Sequence, residues 1–342
     1  MKKILTLAVP LCVFIYADEF VEAGTSFGGY GELHYDIEGE GLDFHRFVLF
    51  FNNTWDDQWS FKSEVELEHN MVGGAIDNDV DSDTNGEIAY PGEVELEQAF
   101  VNYYNGFWGF QGGVLLMPAG IINEYHEPPT FLSVERPEYA KKIIPTTWFG
   151  NGFAFYGGLG NVNWKVTLLE DLDGDKVGAG IRDARGKGYK TSATDWTKNV
   201  QLIWHGMEGL RIGGSVTMND APKSDGSTVE VCLTEINATY LKNNIYARFE
   251  NGKINYTDNG AIESSSGYYL DLGYNLTSIL KCNGSFMLWT RTSSYSTDDN
   301  GKAHDVSLFG VTFKPNNNVS FKFETGESGN NDVLRMGIGY MF

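Results

Sequence analysis

The eleven residues from Asp332 to Phe342 constrain this chain most. Counting back from the end, every second side chain is apolar: Phe342, Tyr340, Ile338, Met336 and Leu334. Between them lie Met341, Gly339, Gly337, Arg335 and Val333, a smaller or more polar set. A period of two with one wholly apolar face describes a β-strand laid against something greasy. Termini of soluble proteins are usually solvated and frayed, so an aromatic final residue fits a soluble fold badly.

The other end is consistent with export. Met1-Lys2-Lys3 is a basic segment, Ile4 to Tyr16 is apolar, and Ile15-Tyr16-Ala17 has the small-residue cleavage pattern. Residues 1–17 are therefore expected to be a signal peptide and 18–342 the mature protein. The apolar segment is too short to cross a bilayer, and no later run of about 18 apolar residues follows. Cys12 follows Leu11 rather than a small residue, which argues against a lipoprotein signal.

Composition fits strands with one face to lipid and one to water. Glycine numbers 41 and aromatics make up 14%, while the mean hydropathy is −0.28 because the two faces cancel. The formal charge is −21, or −23 once Lys2 and Lys3 leave. Such acidity excludes nucleic acid as a partner. It suits a cell surface where divalent cations bridge carboxylates and lipid phosphates, as in an expected partnership with membrane lipid and lipopolysaccharide, and solubility is the plainer alternative. Cys232 and Cys282 fall in separate expected strands and read as lone thiols.

Turns and alternation give sixteen candidate strands: 26–37, 43–54, 58–69, 93–104, 107–118, 147–157, 162–170, 196–205, 209–219, 228–241, 244–256, 266–276, 279–293, 304–314, 318–327 and 332–342. Alternate connectors are tight, as at Asn105-Gly106, Lys242-Asn243 and Thr277-Ser278. The others include the long segments 70–92, 119–146 and 171–195. Short turns on one rim and long loops on the other describe an all-β, transmembrane antiparallel barrel. The terminal Phe342 resembles the closing residue of bacterial outer-membrane barrels. A soluble β-sandwich or propeller is the alternative.

Along Trp59–Glu68, one face carries Trp59, Phe61, Val65 and Leu67, and the other Lys62, Glu64, Glu66 and Glu68. Glu93, Glu95 and Glu97 repeat the pattern against Val94 and Leu96. Three carboxylates in a row would be costly in a dry core but not along water, so these residues are expected to line a pore. Period two does not fix which side of 43–54 faces lipid, nor the parity of the fourth strand beyond Gln98. Trp108, Phe110, Trp148, Phe149, Trp164, Trp196, Trp204 and Trp289 read as interface girdles, with sugar-stacking tracks as the sharper alternative.

Segment 119–146 is unlike a bland surface loop. It carries four prolines, apolar anchors, and the charged or titratable residues Glu124, His126, Glu127, Glu135, Arg136, Lys141 and Lys142. Asp43-Phe44-His45-Arg46-Phe47, the Phe61–Glu68 strand, Glu97–Tyr103, Gly113–Pro118 and Glu127-Pro128-Pro129 together resemble the family of phosphate-selective porins O and P. That resemblance covers mainly residues 25–160. It implies a sixteen-stranded, usually trimeric diffusion channel of the outer membrane, with the third external loop folded into the lumen as a constriction. Phosphate selectivity requires lysine and arginine along the pore. The basic residues singled out here are Arg46, Lys62, Arg136, Lys141 and Lys142, beside more numerous glutamates.

Other chemistries find little support. Asp81 as the first position of a calcium loop places Gly92 where a bidentate Glu is required. That segment and the Glu170–Asp175 knot are at most weak calcium sites. His34, His45, His69, His205 and His304 read as isolated, and no nucleophile elbow or His-Glu-x-x-His motif occurs. The expectation is a non-enzymatic porin needing no cofactor or metal. It passes small hydrophilic solutes and ions passively, generally or with cation preference. An anion-selective pore and a closed structural or adhesive barrel are the alternatives.

Overall fold

The computed structural model describes residues 23–70, 74–76, 87–89, 92–189 and 191–342. The expected signal peptide and most of the first acidic loop lie outside the described residues. The strands are β1 (Gly24–Asp36), β2 (Gly41–Thr54), β3 (Trp59–Glu68), β4 (Gly74–Ile76), β5 (Glu87–Ala89), β6 (Val94–Tyr104), β7 (Trp108–Leu116), β8 (Phe149–Leu159) and β9 (Val162–Leu169). They continue as β10 (Thr197–Met207), β11 (Leu210–Pro222), β12 (Thr228–Lys242), β13 (Ile245–Thr257), β14 (Ser264–Asn275), β15 (Ser285–Ser296), β16 (His304–Asn316), β17 (Val319–Ser328) and β18 (Asn331–Met341). All but β4 and β5, which pair with each other, form one closed barrel of sixteen strands. Every barrel neighbour is antiparallel, as short hairpins require.

Closure falls where the terminal pattern implied. β18 pairs with β1 from Tyr30↔Met341 to Asp36↔Arg335. Phe342 then exchanges both backbone hydrogen bonds with Gly29, at 2.9 and 3.0 Å. Met336, Ile338 and Phe342 face outward and exposed, while Val333, Gly337 and Gly339 face in. A full belt of apolar side chains, among them Leu49, Phe51, Val65, Phe153, Phe155, Val200, Ile236 and Phe309, covers the outside. Only a closed barrel satisfies all strand backbone groups beneath such a surface. No helix among the described residues is long and apolar enough to cross a membrane.

Two bulges settle the parity that period two left open. In β2, Glu32 pairs with Arg46 but Leu33 pairs with Phe44, so His45 is the extra residue. Below it Arg46 and Val48 face inward while Leu49 and Phe51 face out. In β6, Glu64 pairs with Gln98 but Val65 pairs with Leu96, leaving Glu97 extra. Glu97 and Gln98 are both buried inside, and the inward set shifts from odd to even residues. A bulge does this because one unpaired residue rotates the strand by half a period.

The remaining short rim follows expectation except before β15. Asn243 and Asn244 both take positive φ in a two-residue hairpin, the geometry that matches strand twist. Residues 279–293 do not form one strand. Thr277–Leu280 is instead a single helical turn, α3, and β15 begins at Ser285. Asn275 Oδ1 accepts the Thr277 amide and Thr277 Oγ1 accepts the Phe286 amide, so local side-chain bonds outcompete the ladder there. Cys232 and Cys282 are free thiols.

Candidate functional site

Residues 117–148, between β7 and β8, do not stay outside the barrel. Met117, Ala119, Ile122, Phe131, Tyr139, Ile143, Ile144 and Trp148 are fully buried, and they join inward residues Phe100, Leu115, Leu169, Leu233, Ile254 and Tyr269 in one apolar cluster. Two short helical turns, α1 (Ile121–Glu124) and α2 (Tyr139–Lys142), bracket the segment's deepest part. Each buried Leu, Ile or Phe contributes about 1.5–3 kcal/mol, so this insertion is a small hydrophobic core inside the barrel. Gly337 and Gly339 of β18 leave the room it needs. A Cβ at Gly337 would stand 2.9 Å from the Val134 side chain, and one at Gly339 would collide with Pro128.

On the side of β1–β3 and β6, the segment docks through ionised side chains. His126 is 2% exposed; its Nε2 lies 3.2 Å from Glu64 and 3.4 Å from Glu97, themselves inaccessible. Its Nδ1 stands 3.1 Å from the Asn123 carbonyl, which can only accept. Both ring nitrogens therefore carry protons, and the ring is an imidazolium. Burial alone would lower its pKa, but the hydrogen bonds and charges of Glu64 and Glu97 prevail and push it up to about 10. Beside this knot, Arg46 reaches Glu32 at 2.7 Å and Glu66 at 2.6 Å, with Glu68 at 3.8 Å. Arg136 donates to the His126 carbonyl at 3.1 Å.

On the opposite side the loop is held mostly by its backbone. Glu250 accepts the Ile121 amide at 2.7 Å and Glu324 the Val134 amide at 2.8 Å. Arg248 donates to the Thr130 carbonyl, Lys314 to Pro129, Thr312 to Leu132 and Lys322 to Ser133. Gly120, where the chain turns inward, has φ +81°, and a Cβ there would stand 3.0 Å from Glu250 Oε1. Arg291 and Asp271 form a buried two-point pair at 2.6 and 2.7 Å on the same wall.

The acidic rows face inward, but they are not open to water along their length. Glu64, Glu66 and Glu97 are buried against the loop and Arg46. Glu93 and Glu95 are engaged by Lys187, at 3.3 Å in the first case. Lys62 lies over the Phe50 ring on the same face. Of the loop residues singled out in sequence, Glu124 accepts from Gln201 at 2.6 Å, and Glu135 pairs with His34 at 2.8 Å and Lys141 at 3.0 Å. Glu127 is half-buried and Lys142 is exposed.

Four expectations need correction. The inward basic set is larger than Arg46 and Lys62, because Lys165, Arg211, Arg248, Arg291, Lys314, Lys322 and Arg335 belong to it; alternation in β9–β18 could have found them. Trp148, Phe149 and Trp289 are not girdle residues. All three are buried, Trp148 and Trp289 within the internal apolar clusters, and Trp289 donates to Thr312 at 3.1 Å. The outer belt instead runs through Trp59, Tyr103, Trp108, Phe155 and Phe110, with successive rings 4.9–6.5 Å apart.

Part of the segment between β9 and β10 also folds inward. Leu172, Val177, Ile181 and Ala184 enter the internal apolar cluster, and Arg185 donates to the carbonyls of Thr146 and Thr147 at 2.8 Å, joining the two loops. The acidic knot staples this segment. Glu170 accepts the amides of Asn151 and Gly188, and Asp171 accepts the amide of Thr194 together with Asn219 Nδ2. Finally, His34, His45 and His69 are not isolated: successive rings lie 4.7 and 5.1 Å apart at the long-loop rim of β1–β3.

No family model matches the chain. A protein of Aquifex aeolicus described as uncharacterized is 26% identical over 365 residues, covering 94% of this chain and 81% of that one. Among solved structures, OmpT of Vibrio cholerae in its trimer form aligns over 94% of this chain and 99% of its own, with a TM-score of 0.59 at 10% identity. Salmonella typhi OmpF in complex with daunomycin gives 0.59 at 11%, over 94% of this chain and 97% of its own. An anion-selective porin from Comamonas acidovorans gives 0.58 at 13%, over 94% and 100%. At these identities the likeness is one of fold: a porin-like, sixteen-stranded antiparallel barrel.

Proposed function

We propose that this protein is a porin of the bacterial outer membrane, passing small hydrophilic solutes and ions by passive diffusion through a tight, mixed-charge constriction. The observation that carries this reading is the inserted segment 117–148, which bridges a carboxylate wall on β1–β3 and β6 and a cationic wall on β13–β17. Its role is to offer water a path through lipid while fixed charges bias which ions use it. No step requires a cofactor or a covalent change.

Glu64, Glu66, Glu68, Glu93, Glu95, Glu97 and Lys62 face the lumen on one wall; Glu124, His126, Glu127, Glu135, Arg136 and Lys141 act from the loop. The carboxylates outnumber their local cations at the outer rim of β3 and β6, which favours weak cation preference over phosphate selectivity. Assembly as a homotrimer with its apolar belt in lipid completes the proposal.

Near-total burial of the charged residues at the loop favours a second reading: a barrel closed at rest, with the insertion as a plug. Planar-bilayer recording of the purified protein under a salt gradient separates the two. Stepwise, small conductance with a reversal potential toward cations supports the channel. Strong anion preference blocked by phosphate overturns the selectivity, and silence supports the plug.

A further inference from the structure

Above the loop's docking site, three consecutive strands bring metal-binding side chains to the external mouth. His45 is the extra residue of the β2 bulge, which turns it inward beside Asp43 rather than opposite a β1 partner. His69 follows the last residue of β3 with φ +50°, a left-handed turn that aims its ring back over β2. The two Asp43 oxygens each meet one imidazole: His45 Nδ1 at 2.8 Å and His69 Nδ1 at 2.9 Å. His34 stacks on His45 and holds Glu135 of the inserted loop at 2.8 Å. One potential donor atom from each of Asp43, His45 and His69 lies within 4.8 Å of the others, and the same holds for His34, His45 and Glu135.

We propose that this cluster binds a divalent transition-metal ion of the zinc, nickel or copper class, with Asp43, His45 and His69 as protein ligands. Imidazole nitrogen favours these ions, whereas calcium and magnesium prefer sites built wholly of oxygen. Three protein ligands leave a further position for water, the arrangement of an exchangeable site rather than a closed structural one. Access supports exchange: the side chains of Asp43, His45 and His69 retain 39%, 18% and 30% of their exposure. The second triad shares His45 and includes Glu135, so an occupied mouth would sit in direct contact with the inserted loop.

A purely structural role, with Asp43 simply orienting two rings, makes a different prediction. Untagged folded protein in detergent is titrated with zinc chloride and separately with calcium chloride, following heat. Saturable uptake of one zinc ion per chain, without matching calcium uptake, is expected. His69→Ala and Asp43→Asn should each weaken it by at least about tenfold, as removal of ligands or their orienting partners does elsewhere. His205→Ala, on the exposed opposite rim, should leave it unchanged. Heat-modified gel mobility confirms folding, and His69→Gln replaces any alanine variant that does not fold. Absence of saturable zinc uptake, or equal uptake by the cluster variants, overturns the proposal whatever the conductance.

Discussion

One loop meets two walls of the same barrel by different physics. Toward β3 and β6 it depends on a single side chain, His126, placed between Glu64 and Glu97. Toward β13–β17 it depends mostly on its own peptide groups, whose carbonyls are held by Arg248, Lys314, Thr312 and Lys322, with Glu138 the side chain that joins them. Backbone docking tolerates exchange of loop side chains, because every residue supplies a carbonyl. Side-chain docking does not. The carboxylate wall is therefore where a point change or a change of pH should loosen the insertion, and the cationic wall is where it should stay anchored.

Replacing residues 119–146 by a short glycine–serine turn removes both dockings and should give the largest effect, a several-fold rise in single-channel conductance. Unchanged conductance would mean that the insertion does not limit flow. Next comes His126→Ala, which leaves the buried Glu64 carboxylate without its cation. It should weaken docking by about 3–5 kcal/mol, the usual cost of orphaning a buried charge. Thr312→Val on the other wall should cost about 1 kcal/mol. Hydrogen exchange across 119–146 compares them, and equal loss of protection would erase the asymmetry.

The pH dependence has a definite sign. His126 is held protonated to about 10, above the ~6.5 of a free imidazole. Its contribution to docking is thus fully present below pH ~6.5 and is lost as pH rises through about 10. Loop protection measured against pH should fall in that window in the natural protein and stay flat in His126→Ala. The smallest effect belongs to Lys187→Ala. This frees Glu93 and Glu95 at the long-loop rim and should shift the reversal potential modestly toward cations, while stability changes by about 0–1 kcal/mol. A shift toward anions would reverse the assigned role of those glutamates.

The barrel was legible because its information is local. Alternation along Leu334–Phe342 and Trp59–Glu68, together with tight turns such as Lys242-Asn243, sets strand, face and rim without distant contacts. Insertion of 119–146 was legible for a related reason: Ile121, Ile122, Phe131, Ile143 and Ile144 have no stable place in open water. Other features were not. Trp148 and Trp289 look like belt residues until the inserted core gives them an apolar interior. Leu172, Val177 and Ile181 lie among acidic residues that hid their inward course.

Sequence by itself determined a closed antiparallel barrel, the outward-facing side of most strands and the segment that enters the lumen. Tertiary structure alone decided what that segment meets. His34, His45 and His69 converge because the barrel sets β1, β2 and β3 side by side, with one bulge and one left-handed residue turning the rings together. Glu97 reaches His126 because a second bulge rotates it inward. Period-two patterning carries the repeating strand geometry, whereas a single unpaired residue changes register without changing composition.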